Sequence, residues 1–250
     1  MTQKFNDHFG KVAEKYADYR PHYPAALFDW LALQCTTREC VWDCGAGSGQ
    51  ASLSLADYFS SVHATDAGAS QIAQADPHPC IHYRVASAED SGLPSHSFDL
   101  ITVAQALHWF DLDRFYAEAR RVLKPGGVIA VWSYGMIRVE GSEVDAAIQR
   151  FYRHTIGPYW PPERRHVENG YRDLAFPFQL IDPPPLSMRV HWTLDQLLGY
   201  LRSWSASARY LSATGKDPAL DLATELLPAW GGSEHRRQIE WPLSIRAGRT

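Results

Sequence analysis

The stretch Val41–Trp42–Asp43–Cys44–Gly45–Ala46–Gly47–Ser48–Gly49–Gln50 constrains this chain more than any other. An apolar run ends on an acid, three glycines follow at alternate positions, and Ala51–Ala56 then reads as a helix. Strand, glycine turn and helix are the elements of a nucleotide site: glycine tolerates positive φ and lets ligand atoms approach the backbone. A dinucleotide fingerprint, G-x-G-x-x-G, requires its third glycine at position 50. That position is Gln50, and the third glycine falls one residue early, at Gly49. This spacing, with Asp43 ahead of the glycines, argues against a nicotinamide-dependent oxidoreductase.

The rest of the chain alternates strands and helices. Expected strands are Cys40–Cys44, Val62–Asp66, Ile81–Ala86, Ser97–Val103 and Val128–Ser133, with helices over Gly49–Phe59, Ser70–Ala75 and Leu112–Leu123 between them. The near-continuous apolar run of Phe98–Val103 marks a buried parallel strand. Lys124–Pro125–Gly126–Gly127 reads as a helix stop. Ahead of the first strand, two short helices are expected around Phe9–Tyr16 and Ala25–Leu33, joined by a Tyr/Arg/Pro segment. After the fifth strand the alternation breaks. Helices are expected over Ser142–Thr155, Leu194–Tyr210 and Ala219–Leu227, and strands over Leu186–Trp192 and Gln238–Arg246; Ile156–His166, with three prolines, reads as irregular.

Asp43-x-Gly45-x-Gly47-x-Gly49 resembles the first motif of class I S-adenosylmethionine (SAM) methyltransferases. The string from Phe115 to Gly127 resembles the type 11 branch of that family. Tyr19–Arg20–Pro21–His22–Tyr23–Pro24 and Gln105-x-x-His108–Trp109–Phe110 are similar to the trans-aconitate methyltransferase-like subgroup, which acts on small organic acids. The resemblance implies an α/β Rossmann-like sheet of seven strands, the last antiparallel, with helices on both faces and a helical cap. The corresponding divisions are an N-terminal helical lid (1–38), a SAM-binding core (39–135), a cap and substrate region carrying strand six (136–236), and a closing strand (237–250).

It also implies the site. Asp43, Gly45, Gly47 and Gly49 would hold the amino-acid end of the cofactor. Asp66, at the end of strand two and 17 residues beyond Gly49, would accept the ribose hydroxyls, with Ala67 beside it. Ser87, Ala88 and Glu89 would meet the adenine edge, although Ser87 stands where the family commonly has Asp. Gln105 would lie beside the cofactor and is, with His108, a candidate catalytic residue. His108 is a candidate general base or a hydrogen-bonding residue, and methyl transfer to a carboxylate needs no base. Tyr16 and Arg20 would reach the cofactor carboxylate or an acidic substrate from the lid. Tyr23, Trp109, Tyr159, Trp160, Arg164, Arg165 and Trp204 are the candidate substrate residues.

The expected function is methyl transfer from SAM to a small molecule, with O-methylation of a small carboxylic acid favoured by Arg20, Arg164 and Arg165. The alternative is a non-catalytic SAM-binding sensor or partner protein. A net charge of −4 argues against broad phosphate neutralisation, so no nucleic-acid partner is expected. No apolar run approaches membrane-spanning length, and no histidine or cysteine spacing suggests a metal. Four cysteines without paired spacing fit a cytoplasmic setting, free and mostly buried. A monomer or homodimer is expected.

Overall fold

The computed structural model describes residues 21–232 and 234–250. In chain order the elements are α1 (Ala25–Gln34), β1 (Cys40–Cys44), α2 (Gln50–Leu55), β2 (Ser61–Asp66), α3 (Ala69–Ile72), β3 (Ile81–Val85), β4 (Phe98–Ala104), α4 (Leu112–Val122), β5 (Leu123–Tyr134) and β6 (Arg138–Val139). The second half carries α5 (Ser142–Arg150), α6 (Arg164–Glu168), β7 (Gln179–Ile181), β8 (Ser187–Trp192), α7 (Leu194–Arg202), α8 (Ser205–Thr214), α9 (Ala219–Trp230) and β9 (Arg237–Arg249).

Strands β3-β2-β1-β4-β5 form a parallel sheet in that order, and β9 continues it antiparallel to β5, Val128 opposite Arg249 and Tyr134 opposite Leu243. The far side of β9 is paired by β7 at Ala247–Arg249 and by β8 at Arg237–Pro242. Together β7 and β8 occupy one strand position, giving seven positions with the last in sequence antiparallel. They are separated by Asp182–Pro183–Pro184–Pro185, whose prolines have no N–H to give to a ladder. Only the β8 half was legible in the sequence; β7 lies outside the expected strand.

Both faces of the sheet are covered, so successive residues alternate between two apolar clusters. Val41, Leu100, Val128, Ala130 and Trp132 face α1 and α2, while Trp42, Ile101, Ile129 and Val131 face Phe115, Ala119 and Val122 of α4. The helix α4 begins where the Asp111 carboxylate accepts the Arg114 amide. The first cluster runs on without interruption to Leu197, Leu201, Leu226 and Trp230 of the cap helices. The expected boundary near residue 136 therefore separates two local architectures that share one core.

Four local expectations are corrected. Lys124–Gly127 is a bulge inside β5 rather than a turn before it: Leu123 already pairs with Phe98, and Val128 resumes at Leu100. The Lys124 ammonium anchors the bulge on Asp99 at 2.8 Å and Glu39 at 2.6 Å. The helix expected over Leu194–Tyr210 is two helices. Ser203 Oγ donates to the Tyr200 carbonyl, and Trp204 turns extended (ψ 140) to bury its indole. The segment Ile156–His166 contains a 3-10 turn at Gly157–Tyr159 and the start of α6, because prolines are tolerated ahead of a helix's first turn. Of the cysteines, Cys44 alone is buried, and the other three are half-buried free thiols. No helix among the described residues is long and apolar enough to cross a membrane.

Candidate active site

The glycine turn leaves the end of β1 with two hydrogen bonds back to β2: the Gly45 and Ala46 amides both donate to the Thr65 carbonyl. Gly45, Gly47 and Gly49 all have positive φ, at 70°, 58° and 89°. Two of them are also closely approached. A Cβ on Gly45 would lie 2.6 Å from that of Ala106, and one on Gly49 would lie 2.4 Å from the Tyr83 hydroxyl. Gly47 differs: a Cβ there would meet nothing nearer than Gln71 at 3.5 Å, so its outer face is open. The Gly47 amide donates to Asp66 Oδ2 at 2.9 Å and the Gly68 amide to Oδ1 at 2.7 Å. These bonds fix the Asp66 carboxylate at the open side of the turn, where Ala67 is exposed.

Asp43, expected among the cofactor residues, is enclosed behind the turn. It is fully buried, with Ser52 Oγ on one oxygen at 2.5 Å and Thr102 Oγ1 on the other at 2.9 Å. Burial pushes its carboxyl up to about 6, the two hydroxyls opposing the shift. The residue joins β1 to α2 and β4, and so shapes the turn without facing its open side. Gln50, which breaks the dinucleotide fingerprint, donates from Nε2 to the Pro21 carbonyl at 2.6 Å. The first residue of α2 thus tethers the chain entering from the N-terminal segment. Tyr16 and Arg20 lie outside the described residues.

The remaining strand ends form a row beside the turn. After β3, Ser87 Oγ accepts the Asp90 amide, Ala88 is buried, and Glu89 Oε1 accepts the Asp111 amide at 3.0 Å. Glu89 therefore ties this loop to the start of α4. After β4, Gln105 takes φ 59°, which is uncommon for a residue with a side chain. Two bonds to β5 hold it there: its amide donates to the Trp132 carbonyl, and Nε2 to the Tyr134 carbonyl at 3.0 Å. Strained backbone of this kind clusters at ligand sites.

His108 follows in a short 3-10 turn, Leu107–Trp109. Its Nδ1 lies 3.0 Å from the Tyr171 hydroxyl. Packing around the ring, with the positive charge of Arg164 and the neighbouring His166, drives its pKa down to about 3. Such surroundings favour the neutral imidazole, and of the two roles expected for His108 the geometry supports hydrogen bonding. Trp109 stands partly exposed against the His108 ring.

A cavity of about 610 Å³ opens among the segments that follow β5, lined by Met136, Tyr152, Arg153, Trp160, Arg164, Arg165 and Glu168 among others. Arg164 spans it: Nε donates to the Tyr152 hydroxyl at 2.8 Å, and its guanidinium lies 4.6 Å over the Trp160 ring. Tyr152 in turn donates to Glu168 at 2.5 Å. Among the described residues, none of the three arginines forms an ion pair. Three further candidates pack among aromatic rings. Tyr23 is buried edge-on to Trp132, Tyr159 packs on Tyr210, and Trp204 is buried against Tyr152, Trp160 and Tyr200. All three obey the general tendency of large aromatics to fill core. Tyr171, Tyr152 and Arg153 were not singled out from sequence, and Gln50 stood out only as the residue replacing the third glycine.

A parallel sheet with this strand order, an antiparallel closing strand and an open glycine turn bracketed by a strand-end carboxylate defines a class I methyltransferase. The observed cradle fits SAM: the outer face of Gly47 is free, and Asp66 is held beside it with lone pairs to spare. A methyltransferase domain matches residues 42–131. A Dictyostelium discoideum protein described as a candidate methyltransferase is 36% identical over 230 residues, 91% of this chain and 88% of that one. A methyltransferase of Aspergillus candidus is 27% identical, with 90% and 79% of the two chains covered. A solved structure from Anaeromyxobacter dehalogenans, described as a candidate type II methyltransferase, superposes with a TM-score of 0.88 at 52% identity over 92% of this chain and 98% of that one. The chain belongs to the class I SAM-dependent methyltransferase family, and SAM is its cofactor.

Proposed function

We propose that the chain is an O-methyltransferase whose acceptor is a small carboxylic acid. The observation that carries this reading is the set Arg153, Arg164 and Arg165 lining one cavity with no ion pair among the described residues, where the lining carboxylate, Glu168, accepts from Tyr152. Arg164 is the most constrained of them, since Tyr152 and Trp160 fix its stem and leave its terminal nitrogens for a carboxylate.

In this reading the backbone of Gly45, Gly47 and Gly49 admits the amino-acid end of the cofactor, Asp66 accepts the ribose hydroxyls, and Ala67 packs beside the sugar. Ser87 and the Ala88 amide serve the adenine edge, with Glu89 holding that loop in place, and Gln105 borders the cofactor from β4. When bound, SAM supplies a methyl group on a cationic sulfur. The protein's own work is alignment and exclusion of water, which in well-oriented systems lowers a barrier by about 7–11 kcal/mol. Since a carboxylate is already a nucleophile, the neutral His108 is no obstacle.

The test is a panel of carboxylic acids, phenols and amines with labelled SAM. Turnover of an acid is expected, with Arg164→Ala raising KM at least tenfold and leaving the affinity for S-adenosylhomocysteine unchanged. Turnover confined to amines or phenols and indifferent to Arg164→Ala would overturn the reading.

A further inference from the structure

We propose that Glu118 and Arg121 of α4 are positioning residues for the cofactor: they hold the turn at Ser87–Ser91 in register with the adenine edge, and so set how strictly the site distinguishes adenine from a base of the same outline. This inference rests on the reading above that Ser87 and the Ala88 amide meet that edge. Both residues act through the loop rather than by touching the cofactor.

The segment that follows β3 is laced to α4 from one end of the helix to the other. At the helix start, Glu89 Oε1 accepts the Asp111 amide at 3.0 Å. Further along, Glu118 Oε1 accepts both the Ser91 amide, at 2.9 Å, and the Ser91 hydroxyl. Arg121 Nη2 donates to the Leu93 carbonyl at 2.8 Å, and Nη1 to Ser95 Oγ at 3.0 Å. At the helix end, the His96 and Ser97 amides donate to the Arg121 and Val122 carbonyls. Apolar contact follows the same line, since Ala88 and Leu93 belong to one cluster with Phe115, Ala119 and Val122.

Glu118 and Arg121 form a single unit. Arg121 Nε donates to Glu118 Oε2 and Nη2 to Oε1, each at 2.7 Å, the two-pronged geometry that fixes a carboxylate in both position and plane. Glu118 is buried, and Ser91 fully so. Having given its proton to Glu118, Ser91 Oγ accepts the Leu93 amide at 3.1 Å. A buried ion pair adds little net stability over an apolar pair of similar volume. What this one adds is a fixed place for Ser91, directly after a turn closed by the Asp90 amide on Ser87 Oγ and by a bridge between Ser87 and Asp90. With both ends of the turn held, the positions of Ser87 and Ala88 follow.

The opposite side of the loop is equally close. Gly92 has φ 60°, and a Cβ there would lie 2.8 Å from Arg84 Nη2 of β3. The helix that holds the loop also begins where the segment after β4, with Gln105 and His108, ends. Adenine presents an acceptor at N1 and a donor at its amino group, whereas hypoxanthine presents N1–H and a carbonyl, the reverse pattern on the same outline. A backbone amide and a hydroxyl held in place separate the two bases strongly, because the wrong base leaves buried groups unpaired. A loop free to shift re-pairs with either, so loosening the clamp lowers discrimination before it abolishes binding.

The experiment is calorimetric titration of S-adenosylhomocysteine and S-inosylhomocysteine into the full chain, as wild type, Glu118→Gln, Arg121→Lys and Ser91→Ala. Ile129→Val, a core change in the same apolar cluster, is the control for lost stability alone. Wild type is expected to prefer the adenine compound by at least about 100-fold. Glu118→Gln is expected to lose about tenfold in affinity for it and most of that preference. Arg121→Lys keeps the charge without the fork, and Ser91→Ala keeps the amide without the hydroxyl, so both fall between. Ser91→Ala removes a single oxygen and carries the test where Glu118→Gln does not fold. Ile129→Val lowers the Tm and keeps the preference. A preference undiminished in the three clamp variants, or lost equally in Ile129→Val, would overturn the proposal. The two readings fail separately. A wild type that binds both compounds alike removes the adenine reading and this proposal with it, whereas an undiminished preference in the variants removes the clamp alone.

Discussion

Asp43→Asn isolates the energetic role of the acid that precedes the glycine turn. The wild-type carboxyl is buried, and its pKa rises from 3.8 to about 6. A carboxyl raised on folding contributes stability that is fully present below its unfolded pKa and is lost as pH rises through the folded value. Moving it from 3.8 to about 6 corresponds to roughly 3 kcal/mol. Asparagine has nearly the same shape and no charge, and the hydroxyls of Ser52 and Thr102 can rotate to accept its NH₂. The stability of Asp43→Asn relative to wild type is therefore expected to increase by about 2 kcal/mol between pH 4 and pH 7.5, part of the full difference being already present at pH 4. Urea unfolding of both proteins across that range measures the difference, and other titrating groups cancel in the subtraction. A difference that stays flat with pH, or falls, would refute the assignment of a buried, destabilised carboxylate.

Other substitutions probe separate parts of the structure. Gly49→Ala forces a Cβ to 2.4 Å from the Tyr83 hydroxyl at φ 89°, so a cost of about 1–3 kcal/mol in thermal unfolding and loss of S-adenosylhomocysteine binding are expected. Gly47→Ala, with open space at the same turn, is expected to cost less in stability, about 1 kcal/mol from φ alone, while still losing cofactor affinity by calorimetry. Glu118 accepts from Arg121 and from the Ser91 amide and hydroxyl, and these hold its carboxyl down at about 2. Its contribution is present above its unfolded pKa and lost as pH falls through about 2, so Glu118→Gln is expected to destabilise by about 2 kcal/mol at pH 7 and by less below pH 3.

The parallel half of the fold was legible because each strand there carries a local signature. Phe98–Ala104 is buried almost throughout and mostly apolar, since both sheet faces are covered, and Asp43 and Asp66 lie near the ends of two adjacent parallel strands. The glycine spacing indicated the turn for the same reason: the positive φ at positions 45, 47 and 49 has few other solutions. What the sequence hid was set by tertiary contact. Asp43 looked like a ligand residue until Ser52 and Thr102, 9 and 59 positions away, were seen to occupy it. Trp204, a candidate substrate residue within one expected helix, is buried among three aromatic rings where that helix breaks in two. The two roles open to His108, base or hydrogen-bonding residue, could not be separated locally, because nothing nearby in the chain announces Tyr171, 63 residues further on.

The central claim is that the strand ends at Gly45–Gly49 and Asp66 together form the cofactor cradle. Calorimetric titration of S-adenosylhomocysteine and NADH into wild type and Asp66→Ala tests it most directly. The account requires S-adenosylhomocysteine to bind wild type, NADH to give no heat, and Asp66→Ala to weaken the first at least tenfold without unfolding the protein. Binding of NADH, or S-adenosylhomocysteine affinity untouched by Asp66→Ala, would contradict it.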